Sequence, residues 1–335
     1  MSASPVTELR SLVERTEGWC SAIAPAKVNL RLDVLGRRAD GFHEIATAML
    51  ALDLTDRVSA RLGARPGLSL ELEGPLASPD VPVDGRNLVW RAAAGALERA
   101  AADGRCPAEL GVELALFKRI PSRAGLGGGS ADAAAALLAL EAAAGFELRD
   151  DERRELLGEL GSDVAFFDAT RASGYGWCFG RGERVRPLQA PQPRPWVALV
   201  VPAVESPTAA VYGALGLAPG NLATSPAEGD VLEDPLRGAL DSKGAGLSNG
   251  LERAAIEAVP ELGQWRTVLD HAAPGEYHLA GSGSGWFALH ADEAAAHRSI
   301  ERAHAAAVVA GLGTRLVTVA RAAGHGAKLV GTEAE

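Results

Sequence analysis

The densest chemical signal in the chain is Pro121-Ser-Arg-Ala-Gly125-Leu-Gly127-Gly128-Gly129-Ser130, followed at once by a stretch rich in Ala and Leu. Consecutive glycines let the backbone approach a ligand closely and adopt positive φ angles. A helix starting there presents unpaired N–H groups and the positive end of its dipole, so the combination predicts a phosphate site. No Lys follows the glycines in the GK[ST] position, which excludes a Walker A loop, and no GxGxxG with an acidic ribose ligand is present. Taken alone, the run is equally well a flexible loop with a helix cap. Two further segments raise the odds. Ala24-Pro-Ala-Lys27-Val-Asn29-Leu30 opens a strand with Lys27 and Asn29 on one face. Leu279-Ala-Gly281-Ser-Gly283-Ser-Gly285 is a small-residue turn between two apolar strands.

Periodicity outlines the elements that must hold these groups. Alternation predicts strands over residues 26–35, 42–53, 58–73 and 112–120, with a polar turn over 36–41. Residues 87–102 carry apolar positions at three- and four-residue spacing, which predicts a helix. Residues 131–144 predict a second helix, capped by Ser130 and ended by Gly145; being apolar on nearly every side, it should be buried. A charged helix follows over 151–160, and the regular pattern then fades through residues 174–182. The proline cluster 187–195 marks a domain junction. Beyond it come a strand at 196–201, a helix at 247–259 stopped by Pro260, strands at 277–279 and 286–289, a helix at 293–311 and a closing strand at 316–320. Strands precede helices in groups, which favours an α+β class over a doubly wound parallel sheet.

Composition narrows the function classes. The 335 residues are 47% hydrophobic and 23% charged, an ordinary globular balance long enough for two domains. A net charge of −10 without a basic patch argues against a nucleic-acid partner, yet backbone N–H groups bind phosphate without net positive charge. Three widely spaced cysteines (Cys20, Cys106, Cys178) exclude a thiolate zinc cluster and point to a reducing cytoplasm. The first twenty residues mix charges with apolar groups as a polar helical extension, and no apolar run is long enough to span a bilayer. No membrane partner is expected.

PAKVNL, the PxxxGLGGGSADAAA loop and the AGSGSG turn, in that order, resemble the three signature segments of the GHMP small-molecule kinases. Gly36-Arg-Arg-Ala-Asp-Gly-Phe42-His43-Glu44, Arg86-Asn87-Leu88-Val89 and Leu160-Gly-Ser-Asp163-Val-Ala-Phe-Phe167 narrow the likeness. They resemble the branch whose acceptor is a cytidine-diphosphate-linked methylerythritol in non-mevalonate isoprenoid synthesis. The resemblance spans residues 24–289. It implies a two-domain fold with the active site in the cleft between domains: an extension at 1–20, an ATP-binding domain at 21–188 and a substrate domain at 189–335. It also implies small-molecule substrates only, ATP with Mg²⁺, and a monomer or weak homodimer.

Residue by residue, the resemblance makes Asp163 the base and Lys27 its charged partner, which keeps the carboxylate ionised and favours the developing alkoxide. Pro121, Arg123, Ala124, Gly125, Leu126, Gly127, Gly128, Gly129 and Ser130 would wrap the triphosphate. Ser130 either meets Mg²⁺ or caps the helix; Asp132 either complements the helix dipole or assists the metal through water. Asn87 and Leu88 fall at the adenine region, although an N-cap explains Asn87 equally well. Asn29 would touch the acceptor alcohol, His43 would read the cytosine, and Phe42 would stack on it where Tyr is usual. The second aromatic of that stack falls within residues 171–186, leaving Tyr175, Trp177 and Phe179 open. The turn at 281–285 either approaches substrate phosphates or simply packs tightly. Gly250 stands where the family has Asp, and Ala165 where it has Pro. Two rivals remain: another GHMP kinase acting on homoserine or mevalonate, and a ligand-binding regulator without catalysis. GRRADGFHE disfavours the first, and the joint presence of Lys27 and Asp163 the second.

Overall fold

The computed structural model describes residues 18–222, 234–236 and 246–330. The N-terminal extension expected at 1–20 therefore falls almost wholly outside the described residues, and Cys20 already begins the first strand. The strands are β1 (Cys20–Arg37), β2 (His43–Leu62), β3 (Gly67–Glu73), β4 (Gly111–Phe117), β5 (Tyr175–Gly180), β6 (Arg184–Pro187), β7 (Trp196–Pro202), β8 (Ser248–Asn249), β9 (His278–Leu279), β10 (Trp286–His290), β11 (Thr314–Arg321) and β12 (Lys328–Leu329). The helices are α1 (Leu88–Ala102), α2 (Gly128–Ala144), α3 (Asp150–Leu160), α4 (Val164–Ala169), α5 (Thr208–Ala214), α6 (Glu252–Ala258), α7 (Glu261–Ala272) and α8 (Glu293–Val309).

The first sheet runs β12-β1-β2-β4-β3, with β5 and β6 continuing from β2 and β8 pairing with β1. All its pairings are antiparallel except β1 with β8 and β3 with β4, as the α+β reading requires. The long β2 serves two neighbours on the side away from β1. Residues 45–50 pair with β5, and residues 57–62 pair with β4. The second sheet is β11-β7-β10-β9. The two sheets meet face to face through Val28, Leu30 and Leu50 on one side and Leu199, Val201 and Phe287 on the other. Helices α1 and α2 cover the outer face of the first sheet, and α6, α7 and α8 that of the second. The order of layers is helices, sheet, sheet, helices.

An irregularity in β1 decides which face its side chains take. Ala22 and Ala24 point into the core beneath α1 and α2, whereas Ala26, Val28 and Leu30 point toward the second sheet. The pairing register with β2 is broken between Pro25 and Ala26, and the inward and outward positions of β1 exchange across that break. Lys27 and Asn29 are thereby turned toward α2.

Helix α2 is buried from Ala131 through Glu141, as its apolar circumference requires. It begins three residues earlier than its pattern predicts, at Gly128, with Gly127 in the left-handed conformation at the N-cap. Ser130 therefore lies inside the first turn, and the capping role expected of it is withdrawn. Other differences have physical reasons. Residues 58–73 split into the end of β2 and β3 because Pro66-Gly67 supplies a turn. β5, unrecognised in the sequence, is buried on both faces and so shows no alternation. Pro260 ends α6 but also opens α7, since proline is tolerated where a first-turn N–H needs no partner. Replacing the fully buried Leu137 by Ala should cost about 2–5 kcal/mol, read as a lower urea midpoint at unchanged slope.

Candidate active site

A continuous cleft of about 1640 Å³ opens between the glycine loop, the 38–43 turn, α5 and the 281–282 turn. That volume exceeds what one small ligand needs and suits two substrates side by side. Lys27, Asn29, Phe42, His43, Asn87, Leu88, Pro121, Arg123, Ala124, the run Gly125 to Ser130 and Asp163 all line it.

Its centre lies where β1 passes the start of α2. Lys27 is buried, and its Nζ stands 3.4 Å from Asp163 Oδ2 while donating to Asn29 Oδ1 at 2.7 Å. Asn29 Nδ2 donates to Thr47 Oγ1 at 2.9 Å, and that hydroxyl donates to Arg31 O at 2.7 Å, so the amide is oriented from behind. Asp163 sits at the N-cap position of α4 but makes no capping hydrogen bond, which leaves its carboxylate available to the cleft. The backbone N–H of Lys27 donates to Leu126 O at 2.9 Å, fastening the glycine loop to β1. Glycine is obligatory at two points. Gly127 has φ 69°, and a Cβ there would lie 3.0 Å from the Lys27 side chain. Gly125 has φ 73°, and its Cβ would lie 1.9 Å from Ala280 O. The second glycine turn thus packs directly on the first, and Gly281 and Ser282 also reach the cleft. Asn249 Nδ2 holds that turn by donating to Leu279 O at 2.8 Å and Gly281 O at 2.7 Å.

At one end of the cleft Asn87 caps α1, its Oδ1 accepting from Val89 N at 2.9 Å, while its Nδ2 donates to Pro82 O at 2.6 Å. At the other end, the GRRADGFHE segment divides its labour. Arg38 pairs with Asp40 and Glu44, and buried Glu44 also accepts from Arg184, so these charges hold the turn. Phe42 and His43 are left facing the cleft. Phe42 is half exposed, with the Arg181 guanidinium 4.6 Å from its ring centre. His43 Nε2 is buried without a hydrogen-bond partner among the described residues. Burial, then the charge on Arg37, hold its imidazole below its ordinary value and hence neutral at pH 7.

The open choice among Tyr175, Trp177 and Phe179 is corrected. All three are buried in the core between the two sheets, and none lines the cleft. Besides Phe42 and His43, the aromatic that lines it among the described residues is Tyr212 on α5, its ring centre 4.9 Å from that of His43. Nothing in the sequence around Ser206-Pro-Thr208 marks a ligand site, so only the fold reveals it.

A second group missed in the sequence lies beneath the glycine loop. Lys118 Nζ is buried between Asp56 and Asp132, donating to Asp132 Oδ2 at 2.7 Å. Asp56 Oδ1 also accepts from Ile120 N at 2.8 Å. Asp132 is therefore committed to Lys118 through Oδ2, while its Oδ1 has no partner among the described residues. Burial by itself would lower the Lys118 pKa, but Asp132 and Asp56 more than offset it, and the ammonium stays charged.

Residues 87–172 match the GHMP kinases N terminal domain. Among known proteins, the chain is similar to the 4-diphosphocytidyl-2-C-methyl-D-erythritol kinase of Pelotomaculum thermopropionicum, 40% identical over 273 residues, 81% of this chain and 89% of that one. The enzyme of the same name from a Geobacter species is 37% identical, over 82% of this chain and 90% of its own length. This chain belongs to the 4-diphosphocytidyl-2-C-methyl-D-erythritol kinase family. A crystal structure of 4-(cytidine 5'-diphospho)-2C-methyl-D-erythritol kinase superposes with a TM-score of 0.65 at 33% identity, covering 93% of this chain and 99% of that one. Homoserine kinase from Cytophaga hutchinsonii gives the same TM-score of 0.65 at 18% identity, which shows the shared GHMP kinase fold alone.

Within this family the chain is an ATP-using phosphotransferase, and one helix N-terminus and two buried ammonium groups, Lys27 and Lys118, line its cleft. Replacing Lys118 by Met would leave two buried carboxylates uncompensated. The expected loss is about 3–5 kcal/mol of stability, measured by urea unfolding.

Proposed function

We propose that the protein transfers the γ-phosphoryl group of ATP to the tertiary 2-hydroxyl of 4-diphosphocytidyl-2-C-methyl-D-erythritol, in the cytoplasm, as a step of isoprenoid precursor synthesis. The observation that carries this reading is the 3.4 Å approach of Lys27 Nζ to Asp163 Oδ2 beside the N-terminus of α2. Phosphoryl transfer needs positioning, neutralisation of phosphate charge and a group to take the hydroxyl proton, and these residues supply each.

In this reading the triphosphate lies along the loop from Pro121 to Ser130, on the backbone N–H groups that open α2, with the adenine toward Asn87 and Leu88. The acceptor's hydroxyl lies between Asn29 and Asp163. Asp163 takes the proton as the hydroxyl oxygen bonds to the γ-phosphorus. The bond from that phosphorus to the β–γ bridging oxygen breaks, and its electron pair leaves with ADP. Lys27 offsets the charge on both the carboxylate and the transferring group. Cytosine stacks between Phe42 and Tyr212 and is read by His43, whose buried Nε2 gains a partner. Loss of the usual Tyr hydroxyl at Phe42 leaves stacking intact.

Among the described residues no group of three or more His, Cys, Asp or Glu is placed to hold a metal ion. Mg²⁺ carried in with the nucleotide would have the Ser130 hydroxyl, in the first turn of α2, as its protein ligand. When bound, it neutralises charge on the β- and γ-phosphates. No helix among the described residues is long and apolar enough to cross a membrane.

ADP release should require the cytidine-diphosphate-linked polyol; equal turnover with homoserine or mevalonate would assign the protein a different acceptor. Replacing Asp163 by Asn should lower kcat by about a hundredfold or more while ATP binding changes little, and wild-type turnover would remove Asp163 from the role of base. Because the His43 pKa lies below its ordinary value, its neutral form persists on acidification. The acceptor KM should hence stay flat from pH 8 to about 6.5 and rise only below it. A rise already complete at pH 7 would contradict a neutral His43.

A further inference from the structure

Three alternate carbonyls of the glycine loop are held, each by a donor from a different part of the fold. Leu126 O accepts from the Lys27 backbone N–H of β1 at 2.9 Å, and Ala124 O accepts from the Gly285 N–H of the second glycine turn at 3.0 Å. Ser122 O accepts from Arg315 Nη1 of β11 at 2.8 Å. The first two donors are backbone groups that no side-chain substitution removes. The third is a side chain.

The Arg315 guanidinium spans more than that one contact. Its Nε donates to Pro202 O at 3.0 Å, and its Nη2 donates to Val204 O at 3.3 Å and to Ser284 Oγ at 3.2 Å. One planar fork therefore fixes the glycine loop, the exit of β7 and the second glycine turn relative to one another. The next residue of the loop, Arg123, has φ 52°, the left-handed region that a non-glycine residue enters at a cost. Its side chain pairs with Glu205, which lies 3.9 Å from Arg315, so the turn is tied twice to the same corner. The exposed Arg123–Glu205 pair contributes little by itself. Arg315, three-quarters shielded from solvent, carries the connection.

We propose that Arg315 is a positioning residue for ATP: by holding Ser122 O against the second sheet, it sets the path of the loop whose N–H groups receive the triphosphate. Arg315 borders the cleft, and in this reading it acts on the nucleotide through Ser122 O. This inference rests on the ATP-site reading given above, and its test separates the two.

Calorimetric titration with a non-hydrolysable ATP analogue, without acceptor, is compared for the wild-type chain, Arg315→Ala and Arg315→Lys. If the wild-type chain binds no analogue, the ATP-site reading fails and Arg315 with it. Given wild-type binding, both variants should bind the analogue about tenfold more weakly, since lysine keeps the charge but cannot span the fork. In turnover the KM for ATP should rise similarly, while kcat and the acceptor KM change less than about threefold. Wild-type affinity in either variant overturns the proposal. So does a parallel loss of ATP and acceptor affinity that tracks a fall in Tm, which would mark general structural damage. Should Arg315→Ala not fold, Arg315→Lys and Ser284→Ala decide, the latter removing one acceptor of the fork and weakening the analogue by a smaller factor.

Discussion

The irregularity in β1 between Pro25 and Ala26, across which its inward and outward positions exchange, decides where chemistry is possible in this protein. Without it, Lys27 and Asn29 would face the core between the sheets, where an ammonium has no compensation. With it, they face the start of α2, and Ala26, Val28 and Leu30 take the inter-sheet positions instead. The same stretch of β1 holds the glycine loop through the Lys27 backbone N–H. The proposed catalytic side chain and phosphate loop are thus placed by one segment of chain, whose backbone does one task and whose side chains do the other.

The electrostatics follow from that placement. The chain carries a net charge of −10, yet the proposed reaction requires it to bind a triphosphate and a diphosphate-linked acceptor. It concentrates favourable charge locally: the open end of the buried helix α2, Lys27 beside Asp163, and Lys118 below the loop. Lys118 is matched by Asp56 and Asp132, so its charge contributes to holding the loop's base. Lys27 is shared between an amide and a carboxylate and has one strong charge partner. That asymmetry gives Lys118 structural work and supports the chemical role proposed for Lys27.

Much of this was legible in the sequence because glycine, proline and short polar motifs report backbone demands directly. Gly125 and Gly127 occupy positive-φ positions, and Asn87 caps its helix, as local chemistry predicts. What sequence could not show depended on non-local packing. The triad of Asp56, Lys118 and Asp132 joins residues up to 76 positions apart, and nothing local to any of the three points to the other two. Tyr212 reaches the cleft only because α5 folds across it, whereas Tyr175, Trp177 and Phe179, nearer in sequence to the expected place, are consumed by the core. Arg315 lies in a strand whose pattern predicts its element but not its side chain's reach to Ser122.

The central claim is that Lys27, Asp163 and the start of α2 bring the γ-phosphate to a tertiary hydroxyl of a cytidine-diphosphate-linked polyol. Proton-coupled ³¹P NMR of the reaction product reads this directly. The account predicts a new phosphomonoester resonance without three-bond coupling to a carbinol proton, because a tertiary carbon bears none, accompanied by stoichiometric ADP. A resonance split by adjacent CH or CH₂ protons, or inorganic phosphate as the sole new species, would contradict it.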